Sequence, residues 1–173
     1  MNKPSGFLNY FPYLVASKFD FFFEIIRNLE NNISSVQKQK IYKPVFICGL
    51  ARSGTTALLN ALNKSDQAAS FIYKDIPFFK TLITWNFFSN LFYKGVKPFK
   101  RLHGDGMMVF PKSPDAFEEL IWRDNLENYD TNGIFKILTD KYENKKFEDF
   151  YKTHIKKVLL IRGNKKRYIS KGN

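Results

Sequence analysis

Cysteine is almost absent from this sequence. Cys48 is the only one in 173 residues, so no disulfide can form within the chain. At the end of a predicted strand, it reads as a small core side chain. Histidine is nearly as scarce. His103 and His154 stand far apart, and with a single cysteine they assemble no metal site. Acid is in deficit, with 16 Asp and Glu against 28 Lys and Arg, and the net charge is +12. Such an excess draws anions, whether nucleotide, nucleic acid or acidic glycan. Lysine is abundant together with Asn, Ile and Phe, so the same charge also reads as a solvated lysine-rich surface. Long apolar runs are missing too. The N-terminal FLNYFPYLVASKFDFFFEII is interrupted by Pro12, Lys18 and Asp20 and has no signal-peptide cleavage pattern. It predicts a buried or surface-lying helix, with membrane-surface contact as the alternative. The expected location is cytoplasmic, peripheral to a membrane at most. There is no internal repeat and no low-complexity tract. What remains is ordinary globular composition, 44% hydrophobic and rich in aromatics, in a chain of single-domain length.

The apolar pattern organises this length. A helix is predicted over 14–34, then a basic linker, QKQKIYK, and a strand at Val45–Cys48. Thr55–Asn63 reads as a helix with Ala57, Leu58, Ala61 and Leu62 on one face. ASFIY reads as a returning strand, and strand, helix and strand in that order imply a parallel sheet. IPFFKTLITWNFFSNLFY is expected to be helical and is followed by a basic loop, Lys94–Arg101. SPDAFEELIWRDNL predicts a helix capped by Ser113, with Pro114 in its first turn and Asp115 favourable to its dipole. Phe147, Phe150, Tyr151, His154, Ile155, Val158 and Leu159 recur at three- and four-residue steps, a long amphipathic helix that Gly163 is placed to end. His154 on that face reads as a packed residue. RYISK is the last strand. The fold class is therefore α/β, a parallel sheet flanked by helices, with 1–43 as a helical extension and 44–173 as the main domain.

The stretch that carries chemistry is PVFICGLARSGTTALLNAL. A buried strand leads to Gly49, a short loop follows, and Gly54 opens a helix. Backbone N–H groups in such a turn converge on one anion, and the helix N-terminus adds its dipole. Ser53, Thr55 and Thr56 supply hydroxyl donors, and Arg52 supplies a permanent charge in a bidentate fork. Thr55 stands where a nucleoside triphosphatase carries the lysine that grips the β- and γ-phosphates. A magnesium site also needs an acidic residue ending a second strand, and ILTD, ending at Asp140, is a poor candidate. A 5′-phosphate bearing a sulfuryl group needs neither.

This loop resembles the 5′-phosphosulfate-binding loop of sulfotransferases in its arginine-bearing form. Weaker similarity runs on through YKDIPFF, HGDGMMVF and SPDAFEE to RYISKGN. The resemblance implies a P-loop-like α/β fold and transfer of a sulfuryl group from 3′-phosphoadenosine 5′-phosphosulfate (PAPS), without a metal, to a hydroxyl or amine. The cofactor contacts it implies are Gly49, Ala51, Arg52, Ser53, Gly54, Thr55 and Thr56. It implies a nucleotide ligand, not nucleic acid, and an acceptor that is a glycan, a lipid-linked sugar or a small molecule. The family's 3′-phosphate site, an arginine and a serine after the strand that RYISK resembles, has no counterpart before Asn173. The expectation is thus an N-terminal part, with a C-terminal half supplied separately and an open sheet edge where the next strand belongs.

Two general bases are candidates. Asp75 follows the second strand, where the arginine-loop sulfotransferases that this sequence resembles carry a glutamate. The bland reading makes it a cap for the helix beginning at Ile76-Pro77. His103, in RLHGDG, has the near-neutral pKa that suits the task, and otherwise is an exposed loop residue. Glu118 and Glu119 either line an acceptor pocket or are solvated. Lys171 matches a strand-end lysine that stabilises the departing phosphate, a duty shared with Arg52; otherwise it is a charged tail residue. Two other readings stay open: a P-loop nucleotide kinase or NTPase, and an inactive basic anion-binding fragment.

Overall fold

The computed structural model describes residues 20–50, 52–93, 95–100, 108–125, 130–131, 134–135, 142–165 and 167–172. In chain order the elements are helices α1 (Asp20–Asn31) and α2 (Ser34–Lys38), strand β1 (Val45–Ile47), helix α3 (Thr55–Leu62) and strand β2 (Ala68–Ala69). A 3₁₀ helix (Tyr73–Thr81) runs into α4 (Leu82–Phe92), followed by β3 (Phe99–Lys100) and β4 (Met108–Val109). Then come α5 (Glu118–Asn125), β5 (Asp130–Thr131), β6 (Ile134–Phe135), α6 (Lys145–Ile161) and β7 (Arg167–Lys171). Among the described residues no helix is long and apolar enough to cross a membrane.

Packing divides the chain into two units. One comprises Met1–Gln39 and Ile72–Ser113, the other Lys40–Phe71 and Pro114–Asn173. The N-terminal helices thus group with 72–113.

In the second unit a three-stranded parallel sheet has the order β1-β7-β2. Val45, Phe46 and Ile47 face Ile169, Ser170 and Lys171, while Ala68 and Ala69 face Arg167 and Tyr168. The parallel sheet expected from the strand–helix–strand order is present, but β1 and β2 are not neighbours. The last strand inserts between them, so β7 has both edges paired and, among the described residues, the outer edges of β1 and β2 are free. The core is Ile47, Leu59, Ala68 and Ile169 with Val45 against them. This corrects two sequence readings. Leu59 is the fully buried residue of α3, and Leu58 and Leu62 keep half and a third of their surface in water. Cys48, one residue beyond the paired part of β1, is exposed and is no core residue.

Helix α6 matches its periodicity closely. Asn144 caps it by accepting the Phe147 N–H (3.0 Å), and Gly163 (φ +84°) and Asn164 (φ +56°) turn the chain out of it. His154 is buried, edge-on to Phe71 and stacked on Phe150 and Tyr151. Helix α5 starts five residues later than its predicted cap, at Glu118. Ser113 instead closes a turn, accepting the Phe110 N–H and donating its own N–H to Phe110 O. Asp115 Oδ1 takes the Ala116 N–H, so these residues satisfy their backbone locally in a non-helical conformation.

In the first unit α1 packs on the 3₁₀ helix through Phe23 and Phe78, stacked at 5.3 Å. Glu30 Oε1 accepts the Thr84 N–H at the start of α4 (2.8 Å), joining the two helices. Phe78 departs from helical φ/ψ one residue after Pro77, where the 3₁₀ helix kinks. β3 and β4 form a two-stranded antiparallel ribbon.

Candidate functional site

The loop between β1 and α3 is shaped by two residues that tolerate no ordinary substitution. A Cβ on Gly49 would lie 2.8 Å from Ser53 Oγ and 2.9 Å from Thr55 Cγ2. A side chain at this position would have to push the loop's own hydroxyl-bearing side chains aside. Gly54 sits at φ +85° as the residue before α3, a backbone conformation that costs glycine nothing. Between them Arg52 holds φ +67°, a left-handed conformation that an arginine adopts only at a cost. The Ser53 N–H closes a turn onto Leu50 O (3.1 Å), and the first intrahelical bond runs from Leu58 N–H to Gly54 O. That leaves the N–H groups of Thr55, Thr56 and Ala57 at the open end of α3, the pattern of every helix N-terminus. Arg52 and Ser53 are exposed, and Thr55 and Thr56 are half-buried. A free guanidinium, hydroxyls and a helix terminus at one loop can receive a phosphate-sized anion. Ala51 lies outside the described residues.

Lys171 ends β7 directly beside this loop. Its Cα is opposite Ile47, and the Gly172 N–H donates to Ile47 O (3.1 Å), two residues before Gly49. Lys171 is no solvated tail residue. It is buried, and its Nζ stands 3.9 Å from Asp115 Oδ1, also buried. The sequence reading had given Asp115 only a helix-dipole role.

Glu118 is the residue whose surroundings sequence reasoning missed. Glu119 is half-exposed and within 3.5 Å of Arg123, a solvated pair. Glu118, one residue earlier, is buried and accepts hydrogen bonds from the hydroxyls of Tyr151 and Tyr168. Burial pushes its carboxyl above the ordinary range, partly offset by the hydroxyls of Tyr151, Tyr168 and Ser170. The Tyr168 phenol is raised by burial and then by the Glu118 charge, so it stays protonated and donating. The available signal was phase: Glu118 and Ile121 share the buried side of α5, in line with Phe117 just before it.

Asp75 belongs to the first unit. It is fully buried; its Oδ2 accepts the Ile72 N–H (3.1 Å) and its own N–H donates to Ile72 O. This is helix capping, with the helix starting at Tyr73 and not at Ile76. Burial, and then the Asp75 charge, raise the Tyr93 phenol. Next to it in sequence, Lys74 reaches Asn86 Oδ1 (3.1 Å) and Asn90 Oδ1 (2.8 Å). His103 and Asp140 lie outside the described residues. The loop and Lys171 therefore come together in one unit, and Asp75 is placed in the other.

Comparisons with protein-family models, with curated proteins and with solved structures found no match to this chain.

Proposed function

We propose that this chain carries the 5′-phosphosulfate-binding part of a PAPS-dependent sulfotransferase. One observation carries the reading: Arg52 is held at φ +67° between a glycine with no room for a Cβ and a left-handed glycine that opens a helix. A strained charged residue inside an anion-receptive turn is the kind of outlier from which function is inferred. Thr55 in the lysine position favours a ligand without a γ-phosphate. In this reading the loop holds the 5′-phosphate and Arg52 neutralises charge on its oxygens. Lys171, at the carboxyl end of β7, adds positive potential where the phosphate departs. An acceptor hydroxyl or amine attacks sulfur in line, the bond from sulfur to the bridging oxygen breaks, and 3′-phosphoadenosine 5′-phosphate (PAP) leaves. The acceptor's proton passes to a base. The fully buried, capping position of Asp75 argues against Asp75 in that role. The acceptor class is a glycan, a lipid-linked sugar or a small molecule, and the site is cytoplasmic.

The test is calorimetric titration of the chain with PAP, alone and in EDTA. Metal-independent binding is expected, and Arg52→Ala should weaken it about tenfold to a hundredfold, the worth of a hydrogen bond to a charged group. Unchanged affinity in Arg52→Ala removes the loop from the site. Binding that EDTA abolishes and Mg²⁺ restores replaces this reading with the P-loop kinase or NTPase.

A further inference from the structure

Helix α4 (Leu82–Phe92) turns apolar side chains to water. Its inward side is mixed: Leu82 is fully buried and Trp85 packs on Phe78, while Asn86 holds the buried Lys74 ammonium and the fully buried Ser89 donates its hydroxyl to Asn86 O (3.2 Å). Its outward side is apolar. Phe87 is 72% exposed, Phe88 46%, Leu91 73% and Phe92 69%. The spacing puts these four on one continuous stripe. A water-facing helix has the opposite arrangement.

Beyond the helix end, Val96, Lys97, Pro98, Phe99 and Lys100 are all exposed, and apolar and basic side chains alternate there. Helix α1 repeats the feature in the same unit. Its inner side carries Phe23 and Glu30, and its outer side carries Phe21, Phe22, Ile25 and Leu29, each exposed. Exposed apolar area of this extent on a folded unit marks a docking surface. Charge identifies the occupant. Met1–Gln39 with Ile72–Ser113 hold eleven Lys and Arg against five Asp and Glu, a net +6. Protein interfaces are depleted in lysine, whereas surfaces that lie on bilayers combine Phe and Leu with a lysine-bearing rim.

We infer that this unit docks on an anionic lipid bilayer. The outer face of α4 enters the boundary between headgroups and acyl chains, to a depth of about 5–10 Å. Lys97 and Lys100 meet headgroup phosphates. The surface is distinct from the loop at Gly49–Thr56, and the inference stands whether or not that loop binds PAP.

The experiment is flotation of the full chain with two kinds of vesicle, phosphatidylcholine alone and phosphatidylcholine mixed with phosphatidylglycerol. The chain should float with the mixed vesicles, remain behind with the neutral ones, and be released by high salt. Phe87→Ser with Leu91→Ser should weaken binding at least tenfold at unchanged circular dichroism. Lys97→Glu with Lys100→Glu, both exposed side chains, should abolish the preference for anionic vesicles at unchanged circular dichroism. No flotation, equal flotation with both vesicles, or flotation unaffected by the lysine pair overturns the proposal. So does a dimer that Phe87→Ser with Leu91→Ser converts to monomer, since the face then joins two copies of the chain.

Discussion

The Tyr168 hydroxyl, at the centre of the sheet, donates a hydrogen bond to the Glu118 carboxylate at the start of α5, and both residues are buried. Tyr151 of α6 donates to the other oxygen of the same carboxylate, so one acidic side chain ties strand and helices of the second unit together.

This arrangement makes stability depend on pH. Burial raises Glu118 above its ordinary value, so the folded chain keeps a proton that the unfolded chain releases. Its contribution is greatest below the unfolded carboxylate pKa, about 4.3. It is lost as pH rises through the folded value. Glu118→Gln has no charge to desolvate; its amide oxygen accepts one tyrosine hydroxyl and its NH2 donates to the oxygen of the other. Above the unfolded value its melting temperature should be flatter with pH than that of the parent. Parallel profiles would show that Glu118 does not set the slope.

Arg52 is predicted to trade stability for binding. Arg52→Gly relieves the left-handed strain and should raise unfolding free energy by about 1 kcal/mol. The same substitution should lose PAP affinity as Arg52→Ala does. Denaturant unfolding of both variants checks this, and a destabilised glycine variant would mean that the guanidinium holds the loop itself.

Gly49→Ala tests the close approach at the loop. The added carbon must displace Ser53 or Thr55. A cost of about 1–3 kcal/mol is expected, with loss of PAP binding. Retention of both stability and affinity would show that the loop adapts freely.

The capping and catalytic readings of Asp75 separate cleanly. As a cap, Asp75→Asn keeps an oxygen for the Ile72 N–H and should be nearly neutral, while Asp75→Ala should cost about 0.5–2 kcal/mol. As a general base, both substitutions would abolish turnover without that difference in melting. Thermal unfolding of the pair decides the structural part directly.

Lys171→Met leaves the Asp115 charge buried without its ammonium neighbour and should destabilise by about 3 kcal/mol. Adding Asp115→Asn should recover much of the loss. Additive losses in the double variant would show that the 3.9 Å approach carries no coupling.

Local chemistry alone determined much of this chain. The β1–loop–α3 segment was legible because an apolar strand, two glycines and a helical pattern each specify backbone geometry within a few residues. The same holds for α6, whose three- and four-residue recurrence and terminal Gly163 need no distant partner, and for β7. Tertiary structure decided the rest. Nothing near Arg167–Lys171 says that this strand separates β1 from β2, because neighbours in a parallel sheet are joined by packing and not by a turn. The surroundings of Lys171 and Glu118 followed from that placement: Asp115 and Tyr168 lie far along the chain, and burial, which sets the cost of a charge, exists only once the layers close. Ser113 and Asp115 carried a sound helix-start signal, yet their side chains bond to neighbouring N–H groups in turns. Helix α4 shows the limit most plainly. Its composition announces a helix, but that Asn86 and Asn90 bond the Lys74 ammonium while Phe87 and Leu91 face water is visible only in the folded chain.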